Sequence, residues 1–158
     1  AEEIVIDGGR AARIPHGLSD EAAAATFLKG LTAEMLLRQV YPLQRGQTAL
    51  VTAAAGGVGL LLCQWAVHLG GRVIAVVGGA DKEAAVRRLG VSHVIDREAS
   101  PDIAAAVRRL TNGRGADVAY DSVGAATFEA SLDSLSLRGM MVSFGNASGP
   151  VPPVAPLD

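Results

Sequence analysis

The residues best placed to do chemistry lie in one run, VTAAAGGVGLLLCQWA, from Val51 to Ala66. Ala54, Gly56 and Gly59 follow the spacing G-x-G-x-x-G, with alanine in the first place. A β-prone segment precedes this turn and a long apolar segment follows it. In that setting the turn lays a helix N-terminus against a bound phosphate. Free N–H groups and the positive end of the helix dipole then face the anion. The glycines allow the tight bend and the close backbone approach. The spacing and its context therefore predict a dinucleotide site, the alternative being a purely structural turn.

The end of the second strand selects the dinucleotide. A carboxylate there binds the ribose hydroxyls of NAD, about 20 residues after the glycines. This chain instead reads AVVGGADK, with Gly78-Gly79 at the strand end and Lys82 just beyond. A missing carboxylate and a nearby cation suit a 2′-phosphate, hence NADPH. Asp81 is the competing acidic partner, although its position suits helix capping. Lys82 is otherwise an ordinary surface lysine.

Other chemistries find little support. His16, His68 and His93 are scattered and form no metal-ligand spacing. No G-x-S-x-G elbow occurs, and neither Tyr41 nor Tyr120 has a lysine four residues on. The only cysteine, Cys63, sits among Leu61, Leu62 and Trp65 and reads as a buried, inert thiol. The net charge is −2, and Arg87-Arg88 and Arg108-Arg109 are isolated pairs. No basic footprint for nucleic acid results. No apolar run reaches the ~20 residues a bilayer demands, and the acidic start is unlike a signal peptide. A cytoplasmic location is expected.

These residues need a scaffold that presents strand ends to a common crevice. Five apolar, β-branched segments begin at Thr48, Arg72, His93, Asp117 and Met140. None alternates cleanly, which predicts strands buried on both faces of a parallel sheet. Helical segments separate them. Gly57 to Leu69 is apolar almost all round, with Gln64 and His68 as its polar stripe and Gly70-Gly71 as its stop. Asp81 is expected to cap the next helix, and Ser100-Pro101 to open a third. Phe128, Leu132 and Leu135 form the apolar stripe of a fourth. The alternation specifies a doubly wound α/β (Rossmann) fold of five strands with helices on both faces. Ahead of it, EEIVID reads as a strand. LSDEAAAATFLKGLTAEMLLRQV reads as two helices broken near Gly30, the first capped by Ser19. The tail, with four prolines in GPVPPVAPLD, suits neither a helix interior nor a central strand.

Four blocks in order, LKGLTAEMLL, TALVTAAAGGVGLLLCQWA, GRGADVAYDSVG and RGMMVSFGNASGPVPP, resemble the quinone oxidoreductase, or zeta-crystallin-like, branch of the medium-chain dehydrogenase/reductase superfamily. The resemblance covers nearly the whole chain. It implies a zinc-independent enzyme that uses NADPH to reduce quinones or other α,β-unsaturated carbonyls. Carried over by position, it sets Ala54, Gly56, Gly57, Val58 and Gly59 against the pyrophosphate. Gly78 and Lys82 fall at the adenosine end. Arg97 stands where many relatives have a tyrosine on the 2′-phosphate. Ser122 and Val123 fall at the crevice. Phe144, Gly145, Asn146 and Thr32 fall near the nicotinamide. No residue is singled out as a proton donor, so the catalytic residues stay unassigned.

The resemblance also implies that the chain is a cofactor domain separated from an N-terminal GroES-like domain. Residues 1–18 then read as a linker from that domain, 19–47 as a helical lead-in, 48–147 as the Rossmann domain and 148–158 as a proline-rich tail. In relatives a further strand follows the proline-rich segment and often pairs across a dimer. A homodimer through the sheet edge is therefore an expectation. Alone, such a chain is expected to bind NADPH weakly and to reduce quinones poorly or not at all. A stand-alone nucleotide-sensing module without catalysis is the competing function.

Overall fold

The computed structural model describes residues 3–154. Five parallel strands form one sheet: β1 (Thr48–Val51), β2 (Arg72–Val77), β3 (His93–Asp96), β4 (Ala116–Asp121) and β5 (Leu135–Ser143). Their order is β3-β2-β1-β4-β5. The helices are α1 (Asp20–Glu34), α2 (Gly57–His68), α3 (Ala80–Arg87), α4 (Ile103–Leu110) and α5 (Phe128–Asp133). This is the expected doubly wound arrangement.

The continuous apolar strands divide by residue parity. Ala49 and Val51 of β1, and Val73, Ala75 and Val77 of β2, join one core with Leu62, Cys63 and Ala66 of α2 and Val86 of α3. Leu50, Ile74 and Val76 point the other way, into a second core with Ile103, Ala106 and Val107 of α4. Both faces of a parallel sheet are thus covered, so neither face needs polar residues.

Several boundaries differ from the sequence expectations. Helix α1 is not broken at Gly30. It is capped by the Ser19 hydroxyl, which accepts the Ala22 N–H at 3.2 Å, and runs on into a π-helical turn, Met35–Val40. Packing outweighs the glycine's poor propensity: Phe27, Gly30 and Leu31 face Leu61 and Trp65 of α2 across an apolar groove. The buried Tyr120 hydroxyl donates to the carbonyls of Leu36 (3.4 Å) and Tyr41 (3.2 Å) at the π turn. Helix α3 is capped by Gly79, not Asp81. Helix α4 is capped by Asp102, whose carboxylate accepts the Ala105 N–H at 2.9 Å, not by Ser100.

Leu135 belongs to β5 rather than to α5. It pairs with Ala116, while Met140 pairs with Val118, so the residues between bulge out through Arg138 at φ 66°. The first five residues of β5 were therefore unreadable as strand. EEIVID is not a strand over its described part; Ile4, Val5 and Ile6 are exposed in irregular chain before a short 3-10 turn, Gly8–Arg10. What was expected of residues 1–2 and 155–158 lies outside the described residues.

Candidate functional site

The chain leaves β1 towards β2 and β3 on one side, and later adds β4 and β5 on the other. The order therefore reverses between β1 and β4, where an open α/β sheet binds its ligands at the carboxyl ends of the strands. A cavity of about 240 Å³ opens there. Thr52, Ala53, Ala55 and Gly56 line it from the β1–α2 turn, and Val76, Val77 and Gly78 from β2. Lys82, Arg97, Val123 and Thr127 complete it.

The β1–α2 turn is tightly built. Ala53 adopts φ 46°, unusual for a residue with a side chain. Its carbonyl accepts the Gly56 N–H at 2.8 Å. A methyl group on Gly59 would lie 2.4 Å from the same carbonyl oxygen and 2.8 Å from the Ala54 Cα. Ala54 and Gly59 are both buried, so they act by drawing α2 down onto β1 rather than by offering surface. Gly56, Gly57 and Val58 are the accessible part. Helix α2 has no side-chain cap and no acidic residue in its first turn. The N–H groups of Gly57, Val58 and Gly59 have no partner among the described residues. An uncapped N-terminus of this kind fits a diphosphate.

At the β2 end, Gly78 is overlaid by charged side chains. A methyl group there would meet Arg97 Nε at 3.3 Å and Glu98 Oε1 at 3.1 Å. Arg97 and Lys82 both reach the cavity wall, whereas no carboxylate lines it. One acid of this region is committed elsewhere: Asp96 Oδ1 accepts the N–H groups of Gly79 (2.9 Å) and Glu98 (3.0 Å). The Gly79 bond, then the Glu98 bond, hold its carboxyl below the usual carboxylate range.

The third wall is the β4–α5 loop. Asp121, fully buried at the end of β4, organises it. Its Oδ1 accepts the N–H groups of Val123 (2.8 Å) and Gly124 (2.9 Å). Its Oδ2 accepts the hydroxyls of Thr127 (2.6 Å) and Ser131 (2.7 Å). The Ser122 N–H donates to Thr52 Oγ1 at 3.2 Å and so ties this loop to the β1 end. The loop after β5 packs on it backbone to backbone. Ala147 and Ser148 donate N–H groups to the carbonyls of Ser122 (3.3 Å) and Val123 (2.7 Å), and Ala125 donates to Gly149 (3.1 Å). Added methyls at Gly145 and Gly124 would come within 2.8 Å of the Ser122 carbonyl and 2.5 Å of the Gly149 carbonyl.

The sequence-derived residues thus fall into two groups. Gly56, Gly78, Lys82, Arg97 and Val123 share one cavity. Ser122, Gly145 and Asn146 meet in the adjoining loop pair, with Phe144 half-buried against the first core. Thr32 does not line the cavity; its hydroxyl donates back to the Leu28 carbonyl at 3.0 Å. Sequence reasoning missed Thr52, Ala53, Ala55 and Thr127 as cavity walls, and missed Asp121 as the loop's anchor. Asp121 carried a signal, an acid closing an apolar strand immediately before Ser-Val-Gly. Among the described residues, no three His, Cys, Asp or Glu side chains converge as metal ligands would.

Comparison with known proteins gives this arrangement a lineage. The family model described as zinc-binding dehydrogenase matches residues 57–158, well over half the chain. The chain belongs to the zinc-binding dehydrogenase family. Within it, a quinone oxidoreductase of Pseudomonas aeruginosa is 50% identical over 138 residues, 87% of this chain and 42% of that protein. A mycobacterial protein solved in complex with NADPH superposes with a TM-score of 0.88 at 52% identity, covering 92% of this chain and 45% of the other. The quinone oxidoreductase of Escherichia coli, also solved with NADPH, gives 0.86 at 46% identity, covering 91% and 44%. The family member described here therefore spans less than half the length of these relatives. The resemblance to quinone oxidoreductases seen in the four sequence blocks is borne out.

Proposed function

We propose that this chain is the NADPH-binding part of an oxidoreductase that reduces quinones or α,β-unsaturated carbonyls. One observation carries the cofactor choice: Lys82 and Arg97 both line the cavity at the Gly78 end of β2, and no carboxylate is among its lining residues. Two cations suit a 2′-phosphate dianion, and Gly78-Gly79 at the end of β2 stand where an acid usually partners an unphosphorylated ribose. The uncapped start of α2 suits the diphosphate, with Gly56, Gly57 and Val58 as its accessible backbone. Relatives with names and bound cofactor of this kind support the same assignment.

NADPH, when bound, supplies a hydride to an electron-poor carbon. The residues of this chain hold and orient the dinucleotide. The α2 N-terminus takes the phosphates, while Lys82 and Arg97 take the ribose phosphate. The loop pair at Ser122 and Phe144–Asn146 faces the nicotinamide. Residues 48–147 form the cofactor domain, extended by Ser148 and Gly149, which bond to the β4–α5 loop. A homodimer through β5 is supported by its place at the sheet edge and by Leu137, 94% exposed. The buried, unpaired Cys63 suits a reducing compartment such as the cytoplasm.

Calorimetric titration with NADPH and NADH tests the cofactor assignment. Tighter binding of NADPH is expected, with the preference erased in Lys82→Ala/Arg97→Ala. Equal affinities in the unaltered chain would overturn it.

A further inference from the structure

A lysine from a different element lies across the first turn of α2. Lys29 of α1 runs over Gly57: a methyl group there would sit 2.6 Å from Lys29 Cε, 2.8 Å from Cδ and 3.4 Å from Nζ. Among the described residues the ammonium donates only to the Ala25 carbonyl one turn back, at 3.2 Å. Lys29 takes part in neither of the ion pairs formed among the described residues, Arg87–Glu83 and Arg114–Asp117.

This placement is unfavourable in the free protein. The ammonium adds positive charge to a helix N-terminus that is already positive and carries no acidic residue or side-chain cap. Three consecutive N–H groups, from Gly57 to Gly59, start the same turn without partners among the described residues. A cation and three donors, gathered with no acidic residue in the first turn of α2 and no ion pair to Lys29 among the described residues, are complementary to a multiply charged anion. A glycine at 57 leaves room for the lysine stem, a reason for that glycine distinct from its neighbours'.

We infer that Lys29 is a further cofactor-binding residue, which leaves the Ala25 carbonyl to donate to the diphosphate bridge of the dinucleotide. The inference rests on the dinucleotide reading above. It divides recognition between two ends of the site. Lys29 grips the part common to NADPH and NADH, whereas Lys82 and Arg97 grip the part that NADPH alone carries.

The experiment compares the unaltered chain, Lys29→Met, Lys29→Arg and Lys82→Ala, each titrated with NADPH, NADH and inorganic pyrophosphate. Lys29→Met keeps the stem and removes the charge. It is expected to weaken NADPH and NADH by the same factor, about tenfold, to weaken pyrophosphate as well, and to flatten the salt dependence of binding. Lys29→Arg is expected to retain most of the affinity, while Lys82→Ala weakens NADPH alone. Without ligand, Lys29→Met should melt no lower than the unaltered chain, because it relieves a repulsion.

Undiminished or tighter dinucleotide binding by Lys29→Met would overturn the inference, as would a loss confined to NADPH. An equal loss in Lys29→Arg, showing that packing rather than charge is responsible, would overturn it too. If the unaltered chain binds neither dinucleotide, the functional reading falls. Lys29-dependent binding of pyrophosphate would then still uphold the anion grip, and Lys29-independent binding would remove it.

Discussion

The hydroxyl of Thr127 donates to the buried carboxylate of Asp121 at 2.6 Å, joining the start of α5 to the end of β4. Three more donors complete the shell of that carboxylate: two backbone N–H groups of the intervening loop and the Ser131 hydroxyl. Among the described residues it forms no ion pair, so the carboxylate is held by local dipoles, and the loop is held by the carboxylate. Asp121→Ala leaves four donors without an acceptor, three of them buried. Each orphaned group costs about 1–3 kcal/mol, so a loss of at least about 3 kcal/mol is expected. Asp121→Asn keeps one oxygen for the N–H pair, and its amide meets hydroxyls that can rotate to accept. It should fall between the two. Urea denaturation checks the order, and an unchanged midpoint for Asp121→Ala would show that the loop does not depend on this anchor.

That anchor also shows where sequence reading reaches its limit. The strand VAYD was legible because sheet burial on both faces imposes an apolar run. The meaning of its last residue was not, because it arises from partners at positions 123, 124, 127 and 131 that only the turn brings together. Lys29 is a stronger case. Its neighbour across space is Gly57 on another helix, and no periodicity within LKGLTA announces that contact. The glycine turn was legible because its geometry is encoded by local spacing. The start of β5 was not, since the bulge at Arg138 breaks the strand pattern and leaves Leu135 in phase with the preceding helix.

Gly59 is the position where a single added methyl should matter most. The methyl carbon would meet three backbone atoms of Ala53 and Ala54 at 2.4–2.9 Å, and backbone cannot rotate aside as a side chain does. Gly59→Ala must push α2 off β1, at an expected cost of about 1–3 kcal/mol. The shift would also displace the unpaired N–H groups that face the phosphates. Guanidinium denaturation and NADPH titration on the same variant check both consequences. Gly113→Ala serves as a control for strain without contact, since Gly113, unlike the helical Gly59, has φ +84° and nothing lies within 4 Å of its Cβ position. Its stability should fall while NADPH affinity does not.

The outer edge of β5 presents unpaired backbone groups beside Leu137 and Met140, both exposed. Apolar open edges pair with other strands unless charge blocks them. If two copies meet along this edge, Met140→Lys together with Leu137→Asp should shift the population towards monomer in sedimentation velocity, leaving the circular dichroism unchanged. A monomeric unaltered chain at high concentration would exclude the pairing.

Cys63 supplies a pH-dependent test of the core beneath the glycine turn. It is fully buried between α2 and the sheet, and burial pushes its thiol up to about 12 from an ordinary value of 9.0. The neutral thiol is the form that folding accommodates. Below pH 9 the thiol is protonated in both states and stability is independent of its titration. Between pH 9 and about 12 the unfolded chain releases this proton and the folded chain keeps it, so the folded state loses stability as pH rises. Two measurements follow. Iodoacetamide should leave Cys63 unmodified in the folded protein at pH 8 and label it rapidly in urea. The denaturation midpoint should drop more steeply above pH 9 for the unaltered chain than for Cys63→Ala, whose small apolar side chain does not titrate. Rapid labelling of the folded protein at pH 8 would place the thiol in contact with solvent and contradict the packing of α2 on the sheet.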